Sequence, residues 1–425
     1  MARFIIHGGR SISGIHTPPG NKNAALPMLA ACLLTDEPVR LTNIPLIEDV
    51  TTMLGILDDL GVSIERKGHS VLLCARGIRK RTLNEKLCRA VRSSILFAGP
   101  MVARHSMVKL FPPGGDVIGR RRLDVHFDGL RQLGVHVKGR RDYTFTARRI
   151  VPAHVLLEEA SVTATENVVM AACLGEGTTT IFNAACEPHV QDLCGLLIRM
   201  GADITGAGTN YITVTGKRAL HGATHRVSPD YIEASSFLAA AAVTGGELTV
   251  VGAKPEHYAS IGRGFRKLGM RWTIDNNIVR LNANAKLRTR NDFGAAVPSI
   301  EDGPWPAFPS DLMSVAIDAA TQAGGTMLFF EKMFESRMYF VDRLIDMGAR
   351  IVQCDPHRVI VSGPASLHGT RQSSPDIRAG MALLLAALCA RGETVIENAQ
   401  SIDRGYEEVD RRLRRLGADI VREEN

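Results

Sequence analysis

The stretch LGVSI at residues 60–64 decides the fold, because nearly the same five residues return five more times. They read LGVHV at 133–137, MGADI at 200–204, LGMRW at 268–272, MGARI at 347–351 and LGADI at 416–420. The shared glycines are Gly61, Gly134, Gly201, Gly269, Gly348 and Gly417, spaced about seventy residues apart. A leucine or methionine followed by glycine closes a helix, since glycine accepts the left-handed conformation that ends it. The alternating run after each glycine is a returning strand.

Working outward from these endings, each copy has one grammar. An apolar helix comes first, such as NAALPMLAACLL (23–34) or IRAGMALLLAALCARG (377–392). A glycine or acidic turn leads into a β-prone run such as PVRLTN, TTTIFN, ELTVVG, TMLFFE or TVIEN. A loop and a second, amphipathic helix follow. In the first copy Val50, Met53, Leu54, Leu57 and Leu60 share one face, and in the last Tyr406, Val409, Leu413 and Leu416 do so. The first helices lack a polar face and are expected inside, surrounded by sheets. Six such copies make an α/β protein, which divides into two domains of three copies near RALHGATHRVSPD (218–230).

Helix starts carry partial positive charge and unpaired N–H groups. Thr163 with Glu166 and Asp230 with Glu233 have capping-box spacing, and Asp376 precedes another start. Polar residues gather there: Lys22 and Asn23, Arg92 and Ser93, Thr165 to Asn167, Asp311 and Arg378. If the buried helices point the same way, their starts converge on one anion site.

Composition narrows the classes. The chain has 425 residues, 45% hydrophobic and 22% charged, so it is long enough for two cores and too apolar for disorder. A formal charge of +7 admits nucleic acid or small anions as partners, but 5% aromatics disfavours a base-stacking surface. The clusters RKR (79–81) and RRLRR (411–415) read as solvated faces. Eight cysteines without a CxxC pair suit reduced thiols in a cytoplasmic protein. MARFIIHGG lacks the apolar core of a signal peptide, and MALLLAALCA (381–390) is about half a membrane span. No phosphate-binding GxxxxGK[ST], HExxH or GxSxG occurs, and His221 and His225 read as a surface coincidence. No metal or cofactor is expected, nor a nucleic-acid or membrane partner; a monomer is compatible with all of this.

Three features carry chemistry. Lys22, Arg92, Arg121, Arg337 and Arg404 form a dispersed cation set, with Arg337 in FESRM and Arg404 in SIDRGYEE at equivalent loops of copies five and six. Cations so repeated favour phosphate and carboxylate groups. PAFPSDLM (306–313) sets Asp311 at a helix start, where it serves as an N-cap, a substrate base or both. KLFPPGGDVIGRRRLDVHFDGL (109–130) puts Asp116 on a Gly-Gly turn ahead of three arginines. It reads as a solvated ion cluster, or as a loop that closes over an anion and brings it an acid.

These motifs resemble the enolpyruvyl transferases. The likeness runs in unbroken order through NKNAALPMLAACLLTDEPVRLTNIPLIEDVTTML (21–54), PGGDVIGRRRLDVH (113–126), TATENVVMAACLGEGTTTIFNAACEP (163–188), FPSDLM (308–313), FESRM (334–338) and DRGYEEVDRRLRRLGADI (403–420). It implies a two-domain inside-out α/β barrel: residues 22–229, with a mobile loop around 112–122, and residues 1–21 plus 230–425, the active site lying between them. It also implies transfer of the enolpyruvyl group of phosphoenolpyruvate to the 3′-hydroxyl of UDP-N-acetylglucosamine, with loss of phosphate. That reaction is the first committed step of peptidoglycan synthesis.

By the same resemblance, Lys22, Asn23, Arg121 and Arg404 meet phosphoenolpyruvate. Arg92, Arg121, Arg122, Leu123, Asp124, Val125, Ser161, Val162, Thr163, Asp311 and Met333 meet the nucleotide sugar. Lys22, Asp116, Asp311 and Arg404 are the catalytic group. Most relatives carry cysteine at the position of Asp116, where it protonates the methylene carbon. A carboxylic acid does this only if protonated when the substrate arrives, so the charge on Asp116 should be coupled to binding. Fosfomycin, which alkylates that cysteine, is expected to leave this chain unmodified. Glu159, where many relatives have lysine, and the Pro18–Pro19 pair raise the alternative of a paralogous transferase with a different nucleotide or sugar acceptor.

Overall fold

The computed structural model describes residues 2–116, 118–282 and 286–424. The chain forms two compact units. One comprises Pro19–Asp116 and Arg122–Ser228; the other comprises Met1–Pro18, Val117–Arg121 and Pro229–Asn425.

Among the described residues there are six sheets, one for each copy of the sequence repeat. The sheet around Gly177–Phe182 shows the pattern. That strand runs parallel to His154–Leu156 on one side and antiparallel to Tyr211–Gly216 on the other, and Asp203–Thr205 adds the second edge. Five sheets have four strands. The sixth, Met107–Leu110 with Tyr143–Thr146 and His136–Lys138, has three, and its parallel edge shrinks to one bridge between Thr82 and Lys109.

Distant segments complete these sheets. Thr224–Arg226 supplies the parallel edge beside Val39–Thr42, and Gly14–His16 does so beside Leu248–Val251. Ala2–His7 lies between Glu393–Glu397 and Asp419–Glu424, pairing antiparallel with both. The sheet of the last copy is therefore finished by the first strand.

The apolar first helices are the interior. In Lys22–Ala31 every residue except Asn23 is buried, and Ile377–Cys389 is buried through Leu388. Leu383, Leu384 and Leu385 have no exposure, each contributing about 1.5–3 kcal/mol by leaving water. The second helices, such as Glu48–Leu60 and Val409–Arg415, bury one face only. No described helix is long and apolar enough to cross a membrane, and none of the eight cysteines is in a disulfide.

All six repeat glycines have positive φ, from 83° at Gly134 to 108° at Gly417. The residue after each sends its N–H back to the carbonyl five residues earlier: Val62 to Leu57, Val135 to Leu130, Ala202 to Leu197, Met270 to Phe265, Ala349 to Leu344 and Ala418 to Leu413. This is the Schellman closure, formed six times from one sequence signal.

A second repeated device follows the central strands. Asn43, Asn183 and Asn398 take φ near 60°. Each side chain donates to a backbone carbonyl at the end of the parallel edge: Val227 at 2.9 Å, Leu157 at 3.0 Å and Ser374 at 2.8 Å. In copy five the corresponding position is Glu331, after Gly325–Phe330, and it faces the buried Asp302. This departure from the repeat lies beside a cluster of charged groups.

Candidate active site

In the unit containing Pro229–Asn425, residues 310–312 form a turn of 3₁₀ helix that runs into the buried helix Met313–Thr321. Pro309 and Leu312, not Asp311, occupy the cap positions of these two helical turns. Its Oδ1 accepts from Arg337 Nη2 at 3.3 Å and its Oδ2 from Arg378 Nη2 at 2.7 Å. Both arginines are buried, and the Arg378 guanidinium sits 5.4 Å from the centre of the Tyr406 ring. Arg378 is held in place by its own helix start, where Asp376 accepts from the backbone N–H of Arg378 and Ala379.

Glu331 fixes the surroundings of that cluster. Ser310 Oγ donates to its carboxyl at 2.9 Å, and the N–H groups of Met333 and Phe334 donate to Oε1 at 3.2 and 3.1 Å. Burial, followed by its bond to Asp302, pushes the Glu331 carboxyl up to about 9. Arg337 Nε lies 3.7 Å from Oε2, and its charge favours the ionised glutamate without overcoming burial. Burial thus favours the protonated form of Glu331, and Asp311 contacts two guanidinium groups. Burial opposes the charge on Arg378, yet Asp311 and Tyr406 outweigh it and raise its pKa. Arg337 Nε and Nη1 and Arg378 Nη1 are buried without a hydrogen-bond partner among the described residues. A net positive, under-satisfied donor set of this kind is suited to an anion.

In the unit containing Pro19–Asp116, Lys22 opens its helix and is buried with Nζ 2.8 Å from Asp49 Oδ2. Asn21 caps that helix, accepting from Ala24 N–H. Arg92 begins a 3₁₀ segment, Arg92–Phe97, that runs into helix Ala98–His105, and its Nη2 donates to the Arg122 carbonyl at 3.3 Å. The Gly-Gly turn packs onto this segment. A Cβ on Gly114 would come within 1.7 Å of the Arg89 carbonyl oxygen. Gly115, at φ 100°, leaves 3.0 Å between such an atom and Arg92 Cβ. Asp116 follows directly, so the glycines let the acidic residue approach the arginine segment. Beyond it, Arg120 N–H donates to Glu335 Oε1 at 2.8 Å and Ser336 N–H to the Ile118 carbonyl at 3.1 Å. The Arg120 N–H pulls the Glu335 carboxyl below its ordinary range.

The start of Val162–Ala172 corrects one expectation. Thr163 is not the cap. Ser161 is the last residue with extended backbone, and its side chain accepts from Ala164 N–H. Thr163 Oγ1 instead lies 3.0 Å from His126 Nε2. Asn167 Oδ1 accepts from Gly99 N–H, while its Nδ2 donates to the Ile95 carbonyl and to His126 Nδ1 at 2.9 Å. His126 Nδ1 is therefore an acceptor, which puts the proton on Nε2, pointing at Thr163. Burial, with help from Arg92, lowers His126 to about 3 and keeps it neutral. The network ties the Arg92 segment to the Ser161–Thr163 turn.

The other expected residues are placed as follows. Val125 is buried, whereas Arg122 pairs with Asp124 at 2.9 Å and with Glu158 on the surface. Leu123 and Val162 are half-buried, Glu159 is exposed, and Met333 is 37% exposed. Asn23, Arg121 and Arg404 are half-buried. His221 and His225 are not a surface pair, because His225 is buried with Nε2 3.1 Å from Asp192 Oδ1. Among the described residues no cluster is arranged to hold a metal.

Glu331 and His126 were not expected at the site, and Asn167 and Arg378 were noted only as polar helix starts. Aligning the repeats exposes Glu331, since copies one, three and six place asparagine there. The histidine network has no local signal: its members lie 37 and 41 residues apart.

Against known proteins, residues 6–413 match the family described as EPSP synthase (3-phosphoshikimate 1-carboxyvinyltransferase). The chain belongs to this enolpyruvyl transferase family. Within it, the chain is 50% identical over 424 residues to the UDP-N-acetylglucosamine 1-carboxyvinyltransferase of Treponema pallidum, covering 100% of both. The protein of that name from Bradyrhizobium diazoefficiens is 50% identical over 421 residues, 99% of this chain and 98% of the relative. Solved enolpyruvyl transferase folds agree. NikO of Streptomyces tendae superimposes with a TM-score of 0.87 at 24% identity, covering 99% of this chain and 98% of that one. EPSP synthase of Acinetobacter baumannii gives 0.78 at 19%, with both chains fully covered. The expected fold class is thus the observed one.

Proposed function

We propose that the chain transfers the enolpyruvyl group of phosphoenolpyruvate to the 3′-hydroxyl of UDP-N-acetylglucosamine, releasing phosphate. It would act in the cytoplasm, at the first committed step of peptidoglycan synthesis. The observation that carries this reading is half-identity, over the full length of both chains, to relatives bearing that name. The under-satisfied cations around Asp311 add chemical support.

In this reading residues of the expected domains 22–229 and 1–21 plus 230–425 both take part. Lys22, Asn23, Arg121 and Arg404 take the phosphate and carboxylate of phosphoenolpyruvate. Arg92, Arg121, Arg122 to Val125, Ser161 to Thr163, Asp311 and Met333 take the nucleotide sugar. Asp116 gives a proton to the methylene carbon while Asp311 receives the proton of the 3′-hydroxyl, whose oxygen bonds to the central carbon. The resulting tetrahedral adduct then loses a proton from its new methyl group as the bond to phosphate breaks. Two buried arginines on Asp311 fix its direction, which positions the acceptor.

The test is phosphate release with phosphoenolpyruvate and UDP-N-acetylglucosamine, compared with phosphoenolpyruvate and shikimate 3-phosphate. Release with the first pair alone is expected. Release with neither, but with another nucleotide sugar, would transfer the assignment to the paralogous reading.

A further inference from the structure

Residues 258–292 contain eight lysines and arginines against two aspartates, an excess of six in a chain whose formal charge is +7. Nearly all of the net charge thus belongs to one short segment of the second unit. The fold gathers it. The 287–290 strip lies along the end of helix Tyr258–Arg266, with Arg290 N–H donating to the Lys267 carbonyl at 2.9 Å. Gly269 is glycine where a Cβ would stand 2.7 Å from Arg288 N. Arg263, Arg266, Arg271, Lys286, Arg288 and Arg290 are all exposed.

An apolar tip rises from this basic surface. Phe293 is fully exposed, and Val297 in the same loop is 58% exposed. The loop is pinned at its base. Asp292 carboxylate pairs with Lys267 Nζ at 3.1 Å, that Nζ also donates to the Ser299 carbonyl at 2.8 Å, and Asp292 N–H donates to the Ala296 carbonyl. The turn is made by Gly294 and Ala295, both at positive φ, which alanine rarely adopts. Beneath it opens a cavity of about 780 Å³, lined by Arg288, Thr289, Asn291, Val297 and the glycine backbone at 324–325. Within this unit the cavity wall at Gly324 follows the end of helix Met313–Thr321, whereas Asp311 precedes its start. That helix separates the patch from the catalytic carboxylate.

We infer that this surface docks the protein on an anionic lipid bilayer, with Phe293 entering the interface and the cavity beside Arg288 receiving a phospholipid headgroup. The contact is peripheral and needs no membrane-spanning segment, and it departs from the expectation of no membrane partner. Charge complementarity selects the lipid: each Lys or Arg beside an anionic leaflet strengthens association about five-fold, and an amphipathic surface with an aromatic tip seats at the headgroup level. Nucleic acid fits less well, because a single aromatic is not a stacking platform.

The experiment is co-sedimentation of the full chain with vesicles of phosphatidylglycerol and phosphatidylcholine, or of phosphatidylcholine alone, at about 0.05 and 0.5 M salt. Binding to the anionic vesicles at low salt is expected, with at least a ten-fold loss at high salt or on neutral vesicles. Phe293→Ser, a change at a fully exposed side chain, should keep wild-type melting temperature and weaken vesicle binding several-fold. The double change Arg288→Glu with Arg290→Glu should abolish it. Absence of binding, equal binding to neutral vesicles, or full binding by Phe293→Ser would each overturn the inference. So would a DNA duplex that binds as tightly and independently of Phe293. None of these readouts depends on which acceptor sugar the enzyme uses.

Discussion

Arg378 Nη2 lies 2.7 Å from Asp311 Oδ2, and this bond, with that of Arg337 to Oδ1, holds the carboxylate between two buried guanidinium groups. The aspartate at the start of Met313–Thr321 is therefore oriented by charge. Asp311→Asn should retain an acceptor for one guanidinium and lose turnover by about 10²-fold or more, as for other acid–base groups. Asp311→Ala should also lower the melting temperature, because it strips two buried arginines of their shared counter-charge, a loss of order 3–5 kcal/mol for buried pairs. Thermal denaturation beside phosphate release separates the two effects. A stable, active Asp311→Ala protein would remove the residue from the site.

At the loop, Asp116→Asn should cut turnover by about 10²-fold while UDP-N-acetylglucosamine still binds, measured by calorimetry. Gly114→Ala should be as damaging without touching the acid, since its new methyl carbon would collide with the Arg89 carbonyl oxygen. Incubation with fosfomycin should leave the intact mass unchanged. A covalent adduct at Asp116 would contradict the expectation that a carboxylate escapes the alkylation suffered by a thiol.

Glu331 gives stability a pH dependence of definite sign. Its carboxyl is raised from an ordinary 4.5 to about 9 in the folded protein. The native state therefore holds a proton that the unfolded chain releases, and stability falls as pH rises through this interval. Glu331→Gln keeps the bond to Ser310 without the ionisation. Its stability relative to wild type should grow between pH 5 and 9 in urea titrations. Parallel curves for the two proteins would mean that Glu331 is already ionised.

Asn167→Ala would strip Gly99 N–H and His126 Nδ1 of the bonds Asn167 makes to them, while the Ile95 carbonyl keeps the Ala98 N–H. Each abandoned group costs about 1–3 kcal/mol when buried, so several kcal/mol should disappear from the unfolding free energy. Asn167→Asp keeps the acceptor but loses both donors, and should be only partly better. Equal stability of all three proteins would show that water fills the gap.

Much of the fold was legible because it rests on local signals repeated six times. Leu-Gly closures and apolar helices need only neighbours in sequence, and all six glycines obeyed. The Asp311 environment was half legible. The aspartate and Arg337 stood in recognisable motifs, but Arg378 reaches Asp311 from 67 residues away. Thr163 misled for a physical reason: capping depends on which residue keeps an extended backbone, and Ser161, two positions earlier, does. His225 was misplaced because a histidine in a polar stretch gives no hint that Asp192 waits in the interior.

The strand Ala2–His7 has a consequence for assembly. It pairs with Asp419–Glu424 and Glu393–Glu397, so it must wait for almost the whole chain before either partner exists. Closing so wide a span is entropically slow. During synthesis the unit built around residues 19–228 can mature on the emerging chain, while its companion stays open at one seam until translation nears its end. An affinity tag that braces or blocks residues 2–7 would thus strike the last copy of the repeat, not the first.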